Sequence, residues 1–302
     1  MDSTDDPIAG VTVDSIPYLP FMDGPVPAGS DAFRWRLGVR PLDLNDWIEL
    51  GPDADAAIEA KPRLMAQFPD TVFATLDEEV ARESQEVADA LVDHLRRRWP
   101  DRYAEAIIDP TLHPLDAAAR LVPEDLVLLV EREGRLVFGG GSVCFPNRWD
   151  LRSKLGLTMA GVHAPVDRLN DQLEDPIDGF FDRLTSERSF WRLGWGVLDT
   201  PDWYTSIDGT AAPRPREPAP DAHYLRVERE TLRRFPATGC ILFTIRTYVT
   251  PILNAATDPE AARRLAAALV SLPADVRDYK DLVAVADELA ESLSHAVDNR
   301  RT

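Results

Sequence analysis

Between residues 239 and 249 the chain alternates side by side: Ile241, Phe243, Ile245, Thr247 and Val249 interleave with Leu242, Thr244, Arg246 and Tyr248. A period of two marks a strand, because successive side chains leave it on opposite faces. Residues 125–145 hold two more strand-like runs separated by Glu133 and Gly134, a turn pair, and so predict a hairpin. A further strand is predicted over residues 190–198. The run Gly139-Gly140-Gly141-Ser142 lacks the spacing of a phosphate loop and is followed by no helix; it predicts a bulge or a close backbone approach.

Helical spacing appears elsewhere. Val80, Ser84, Val87, Leu91 and Leu95 form one apolar stripe, predicting a helix over residues 76–98 that ends at Trp99-Pro100. Thr75 and Glu78 resemble a capping box at its start. His94 lies at the edge of the stripe and reads as structural. A short helix is expected after Asp258, then a longer one carrying Val276, Tyr279, Leu282, Val283, Ala286, Leu289 and Leu293.

Residues 205–222 contain Pro213, Pro215, Pro218 and Pro220 and cannot be sheet interior, so they predict a Pro-rich surface loop. Residues 1–30, rich in Pro, Gly and Asp, predict an extended arm, with regular structure starting near Phe33. With no internal repeat and no clean linker, residues 1–302 read as one α+β domain, an antiparallel sheet with flanking N- and C-terminal helices.

Composition narrows the function. The hydrophobic fraction of 44% is ordinary for a chain with a sizeable core. With 33 basic against 52 acidic residues the formal charge is -19, which argues against a nucleic-acid surface, since phosphate neutralisation needs basic patches. The start MDSTDDPIAG has neither the basic opening nor the apolar core of a signal peptide, and no run of about eighteen apolar residues occurs. A cytoplasmic protein with no membrane partner is expected. Cys144 and Cys240 form no CxxC, so neither an iron–sulfur cluster nor a structural zinc is encoded, and both read as small buried thiols.

Two stretches carry candidate chemistry. In CFPNRWDLRSKLGLTMAGVHAPV, residues 144–166, His163 follows a cationic segment and sits among Ala160, Gly161 and Ala164, with Pro165 fixing the backbone after it. Small neighbours leave room for a metal held in a large flat ring. The plainer reading is a hydrogen-bonded core or turn histidine. In HYLRVERETLRRFP, residues 223–236, a helix would put Arg226, Arg229 and Arg233 in one sector and Glu228 on the apolar side between Leu232 and Phe235. A carboxylate there must be paired, protonated or used. The arginines would be either a salt-bridged surface, with Glu230 four residues from Arg226 and Arg234, or an anion clamp.

Taken together the two stretches resemble the family of heme-dependent oxidative N-demethylase alpha subunits. The resemblance rests on Trp149, Lys154, Gly156, His163, Pro165 and Val166, then on Leu225, Arg226, Glu228, Arg229, Thr231, Leu232, Arg233 and Arg234, with Phe243 to Ile245 following. Gly38, Pro41, Leu42, Trp47 and Lys61 extend it over roughly residues 17–255. Asp167, Glu230 and Phe190 depart from the family pattern, which has Pro, Gln and Asn there, and these departures bear on the substrate.

The resemblance implies a PAS-like antiparallel sheet holding heme b, with O2 activated at the iron to demethylate a small methylated amine. Electrons would come from separate reductase subunits carrying flavin and iron–sulfur centres. His163 would be the axial ligand to the metal, Lys154, Arg226, Arg229 and Arg233 partners of the heme propionates, and Glu228 a catalytic residue of the distal pocket. The chain itself has no dinucleotide fingerprint and no cluster cysteines, so as a redox enzyme it needs an external donor. A heme-binding PAS-like sensor without catalysis, and a heme-free ligand-binding protein, are the alternative readings, because fold alone does not fix function.

Overall fold

Seven strands pair into a single antiparallel sheet whose order is β1-β5-β6-β7-β3-β4-β2. They are β1 (Arg40–Leu42), β2 (Phe73–Thr75), β3 (Asp125–Arg132), β4 (Arg135–Ser142), β5 (Ser189–Leu198), β6 (Tyr224–Arg234) and β7 (Ile241–Pro251). The computed structural model describes residues 12–14, 16–24, 29–76, 80–166, 168–205 and 222–299. Most of the Pro-rich loop, Glu78 with its capping box, Asp167 and much of the N-terminal arm lie outside these residues.

The strongest alternation, that of residues 239–249, becomes β7, paired on both sides. Its neighbour β3 forms the predicted hairpin with β4, and Glu133 and Gly134 both take positive φ (51° and 73°), the turn geometry that matches strand twist. The glycine run is a place of close approach. A Cβ on Gly139 would lie 2.7 Å from the Val130 side chain, and one on Gly140 2.9 Å from the Ala74 carbonyl of the edge strand β2.

Ten α-helices surround the sheet: α1 (Ala54–Gln67), α2 (Pro69–Val72), α3 (Val80–Arg98), α4 (Pro100–Tyr103), α5 (Pro114–Ala119), α6 (Met159–His163), α7 (Leu169–Arg183), α8 (Pro259–Val270), α9 (Ala274–Tyr279) and α10 (Ala286–Asn299), counted among the described residues. The stripe of α3 is buried as its spacing requires: Val87, Leu91 and Leu95 pack with Leu126, Leu128 and Leu242. Each such side chain contributes on the order of 2 kcal/mol. His94 is buried edge-on to Trp47 and Trp99, and burial with nearby arginines lowers its pKa to about 4, as suits a neutral structural histidine.

Two expectations are corrected. Residues 223–236 are not helical: Tyr224–Arg234 is β6, paired residue by residue with β7 and over most of its length with β5. The charged side chains hid a period of two, with Leu225, Val227, Arg229, Thr231 and Arg233 on one side and Arg226, Glu228, Glu230 and Leu232 on the other. Pairing on both edges outweighs local preference. The long C-terminal helix is also interrupted. α9 stops at Tyr279, Asp281 takes φ 58°, and the Leu282 amide turns back to the Arg277 carbonyl (2.7 Å) before α10 begins.

The two faces of the sheet are covered differently. Leu126, Leu128 and Leu242 face the core built with α1, α3 and α5. Val127, Leu129, Leu232 and Phe243 face α6 and α7, which are inserted between β4 and β5. No helix among the described residues is long and apolar enough to cross a membrane.

Candidate functional site

On the face of α6 and α7, β3, β5, β6 and β7 line a cavity of about 1800 Å3. Pockets for ordinary small ligands run to about 1,000 Å3, so there is space for a large cofactor and a substrate together. Leu129, Leu232, Phe243 and Ile245 line it from the sheet, and Met159 and Ile177 from the helices. Polar and charged groups share the lining, among them His163, Lys154, Glu228, Glu230, Arg192 and Lys280.

His163 is the last residue of α6. Thr158 starts that short helix, its hydroxyl accepting from the Gly161 amide (3.3 Å), and the Asn170 amide donates to the Ala160 carbonyl (2.9 Å) and ties it to α7. Burial lowers the imidazole pKa, the charges of Arg192 and Lys154 lower it further, and the Met159 carbonyl one turn back opposes them. These effects together favour the neutral ring, the form that binds metals. Nδ1 is buried with no hydrogen bond of good geometry. Lys154, in the turn before α6, donates to the Val162 carbonyl (3.1 Å) and so stands beside His163. Gly156, at φ 75°, lets the chain reverse there, and its amide donates to the Phe138 carbonyl (2.9 Å) of β4.

Glu228 enters the cavity from β6. Arg226, two residues earlier on the same side, donates from Nε to Glu228 Oε1 (2.8 Å) and from Nη2 to the Phe145 carbonyl (2.6 Å) and Thr247 Oγ1 (3.0 Å). Arg226 is 1% exposed and lies behind Glu228, outside the cavity lining. Phe145 is held from its other side as well. Asp125 accepts from the Cys144 and Phe145 amides (2.8 and 2.9 Å), and the fully buried Lys61 ammonium stands 3.9 Å from that carboxylate. Lys61, Asp125, Phe145, Arg226 and Glu228 thus join the start of the His163 segment to the β6 motif.

Arg229 and Arg233 leave β6 on the other side. Arg229 donates to the Asp46 and Trp47 carbonyls and lies 3.3 Å from Glu49; Arg233 stacks 4.4 Å over Trp47 and 4.8 Å over Phe235. The shared sector of three arginines was a consequence of the helical assumption and dissolves with it. His223, the other histidine near the motif, is 2% exposed and also outside the lining.

Glu230, Arg192 and Lys280 are also polar groups of the cavity. Glu230 faces the cavity beside Glu228, 2.9 Å from Arg192 of β5, and burial pushes its pKa up to about 7, with the Glu228 charge adding and Arg192 opposing. Lys280 arrives from the break after α9. A period-two reading of residues 224–234 would have placed Glu230 with Glu228; no local signal marks Arg192 or Lys280.

Compared with protein-family models, residues 38–290 match the family described as haem-dependent oxidative N-demethylase, alpha subunit-like. The chain belongs to that family. For a member of the N-demethylase alpha-subunit-like family, the residues present fit the heme its name implies. His163 puts an imidazole on the wall of a large cavity, with the Met159 carbonyl one turn back behind the ring, and Lys154 and Arg192 supply cations suited to carboxylates. Both cysteines are buried away from the lining with thiol pKa values raised, so neither is placed to attach or ligate the group.

Proposed function

We propose that this chain is the heme-carrying, oxygen-activating subunit of an oxidative N-demethylase acting on a small methylated amine. The observation that carries the reading is that His163 lies on the wall of a large cavity that also holds the carboxylate of Glu228. The reaction takes an N-methyl amine, O2, two electrons and two protons to the shorter amine, formaldehyde and water. Heme b, when bound, supplies the oxygen chemistry.

The residues of the chain do the rest. His163 would hold the heme iron, and Lys154 and Arg192 would supply the cations that meet its propionates. Arg226 holds Glu228 at Oε1, leaving Oε2, which has no hydrogen bond among the described residues, to receive the amine. Leu129, Leu232, Phe243 and Ile245 would give the methyl group an apolar wall. With no cluster cysteines in the chain, the electrons come from separate reductase subunits carrying flavin and iron–sulfur centres, in the cytoplasm.

The PAS-like reading of the sheet is supported by its five central strands. The hairpin β3–β4 and the meander β5–β6–β7 are joined side to side because β7, the last strand, pairs with β3, the first, and the helices inserted between hairpin and meander cover the ligand face.

Reconstitution with heme, followed by a formaldehyde assay with a chemical reductant and a panel of N-methylated amines, tests the proposal. An intense Soret band with formaldehyde from at least one amine is expected. A Soret band with no product from any amine would favour a sensor, and no heme uptake would favour a heme-free ligand-binding protein.

A further inference from the structure

The cavity contains an ion pair that does not close. Lys280 lines it, with Nζ donating to the Trp195 carbonyl (2.9 Å) and lying 5.6 Å from the centre of the Trp195 ring and 6.0 Å from that of Trp35. An ammonium has three donors, and a single carbonyl with two ring faces leaves it under-satisfied. Among the described residues no carboxylate comes within 4.0 Å of it. Glu228 lines the same cavity and its charge acts on Lys280, but its Oε1 is already held by Arg226 at 2.8 Å. Burial pulls the Lys280 pKa down and the Glu228 charge pulls it up.

A carboxylate and an ammonium that line one cavity without pairing give it a negative wall and a positive wall. A simple amine satisfies only the first. A zwitterion laid in the opposite sense satisfies both: its methylated nitrogen meets Glu228 Oε2 and its carboxylate meets Lys280.

We infer that Lys280 is a substrate-carboxylate residue and that the substrate is an N-methylated amino acid rather than a bare methylamine. Trp195 and Trp35 border the ammonium and hold it in place, and the break between α9 and α10 delivers it to the cavity. The inference rests on the demethylase reading of the cavity and specifies its substrate.

The test is calorimetric titration of the full, heme-loaded chain with N,N-dimethylglycine and with dimethylamine, on wild type, Lys280→Met and Lys280→Arg, with heme content read from the Soret band and folding from a thermal melt. Wild type should bind dimethylglycine at least about tenfold more tightly than dimethylamine, the size of one charge-assisted contact. Lys280→Met should lose that preference while binding dimethylamine as before, and Lys280→Arg should recover part of it. Equal or weaker binding of dimethylglycine by wild type overturns the inference, and needs no variant to fold. So does loss of heme in a folded Lys280→Met, which would assign the lysine to a propionate. Failure of wild type to take up heme at all would instead remove the demethylase reading, and this inference with it.

Discussion

Glu228 and Gly194 face each other across the β5–β6 ladder, and the absent side chain of the glycine gives the carboxylate its room. A Cβ on Gly194 would stand 3.4 Å from Glu228 Oε2 and 3.1 Å from Glu230 Oε1. Gly194→Ala should therefore displace Glu230 and fill the space beside Glu228, raising the amine KM with heme content retained. Two residues on, Gly196→Ala is the matched control, since the nearest atom to its Cβ is 3.9 Å away. Steady-state kinetics on both variants measure the contrast; equal effects would mean that the carboxylates do not meet the amine.

Arg226 is expected to matter through Glu228. Removing the guanidinium leaves a carboxylate in an apolar cavity without its counter-charge, at a cost of about 3 kcal/mol or more. Arg226→Gln should lower the melting temperature and weaken amine binding, whereas Arg229→Gln, on the other face, should lower stability without changing amine affinity in the folded fraction. Arg263, exposed on α8 beside Glu260, is the neutral control, and its Ala variant should change neither.

Glu230 predicts a pH effect. Its folded pKa of about 7 stands above the ordinary 4.5, so the folded state holds the proton more tightly than the unfolded chain does. The associated stability is fully present below pH 4.5 and is lost as pH rises through 7. At 1.36 kcal/mol per unit this is about 3 kcal/mol. Glu230→Gln should flatten the dependence of melting temperature on pH in that window, leaving the part due to Glu124, which burial also raises to about 7. An unchanged slope would mean that Arg192 keeps Glu230 ionised throughout.

The sequence made legible whatever is set by local pattern. The alternation of β7, the Glu133-Gly134 turn and the stripe of α3 each follow from side chains within a few residues of one another, and each is found. β6 is not legible locally, because its charges obscure a period of two and its conformation is fixed by partners on both edges. Helical spacing groups Arg229 and Arg233 with Arg226, whereas strand geometry sends that pair to the face opposite Arg226. His163, Lys154 and Glu228 do share one cavity. Arg192 and Lys280 were invisible because sheet pairing and a helix break, not spacing, bring them there.

The central claim is that His163 carries the heme iron. The direct measurement is the absorption and electron paramagnetic resonance spectrum of the heme-loaded protein beside that of His163→Ala, with imidazole added back to the variant. The account predicts an intense Soret band with nitrogen ligation in the wild type, its loss or displacement in a folded His163→Ala, and its recovery on adding imidazole. A folded variant whose spectrum and heme content match those of the wild type would contradict it.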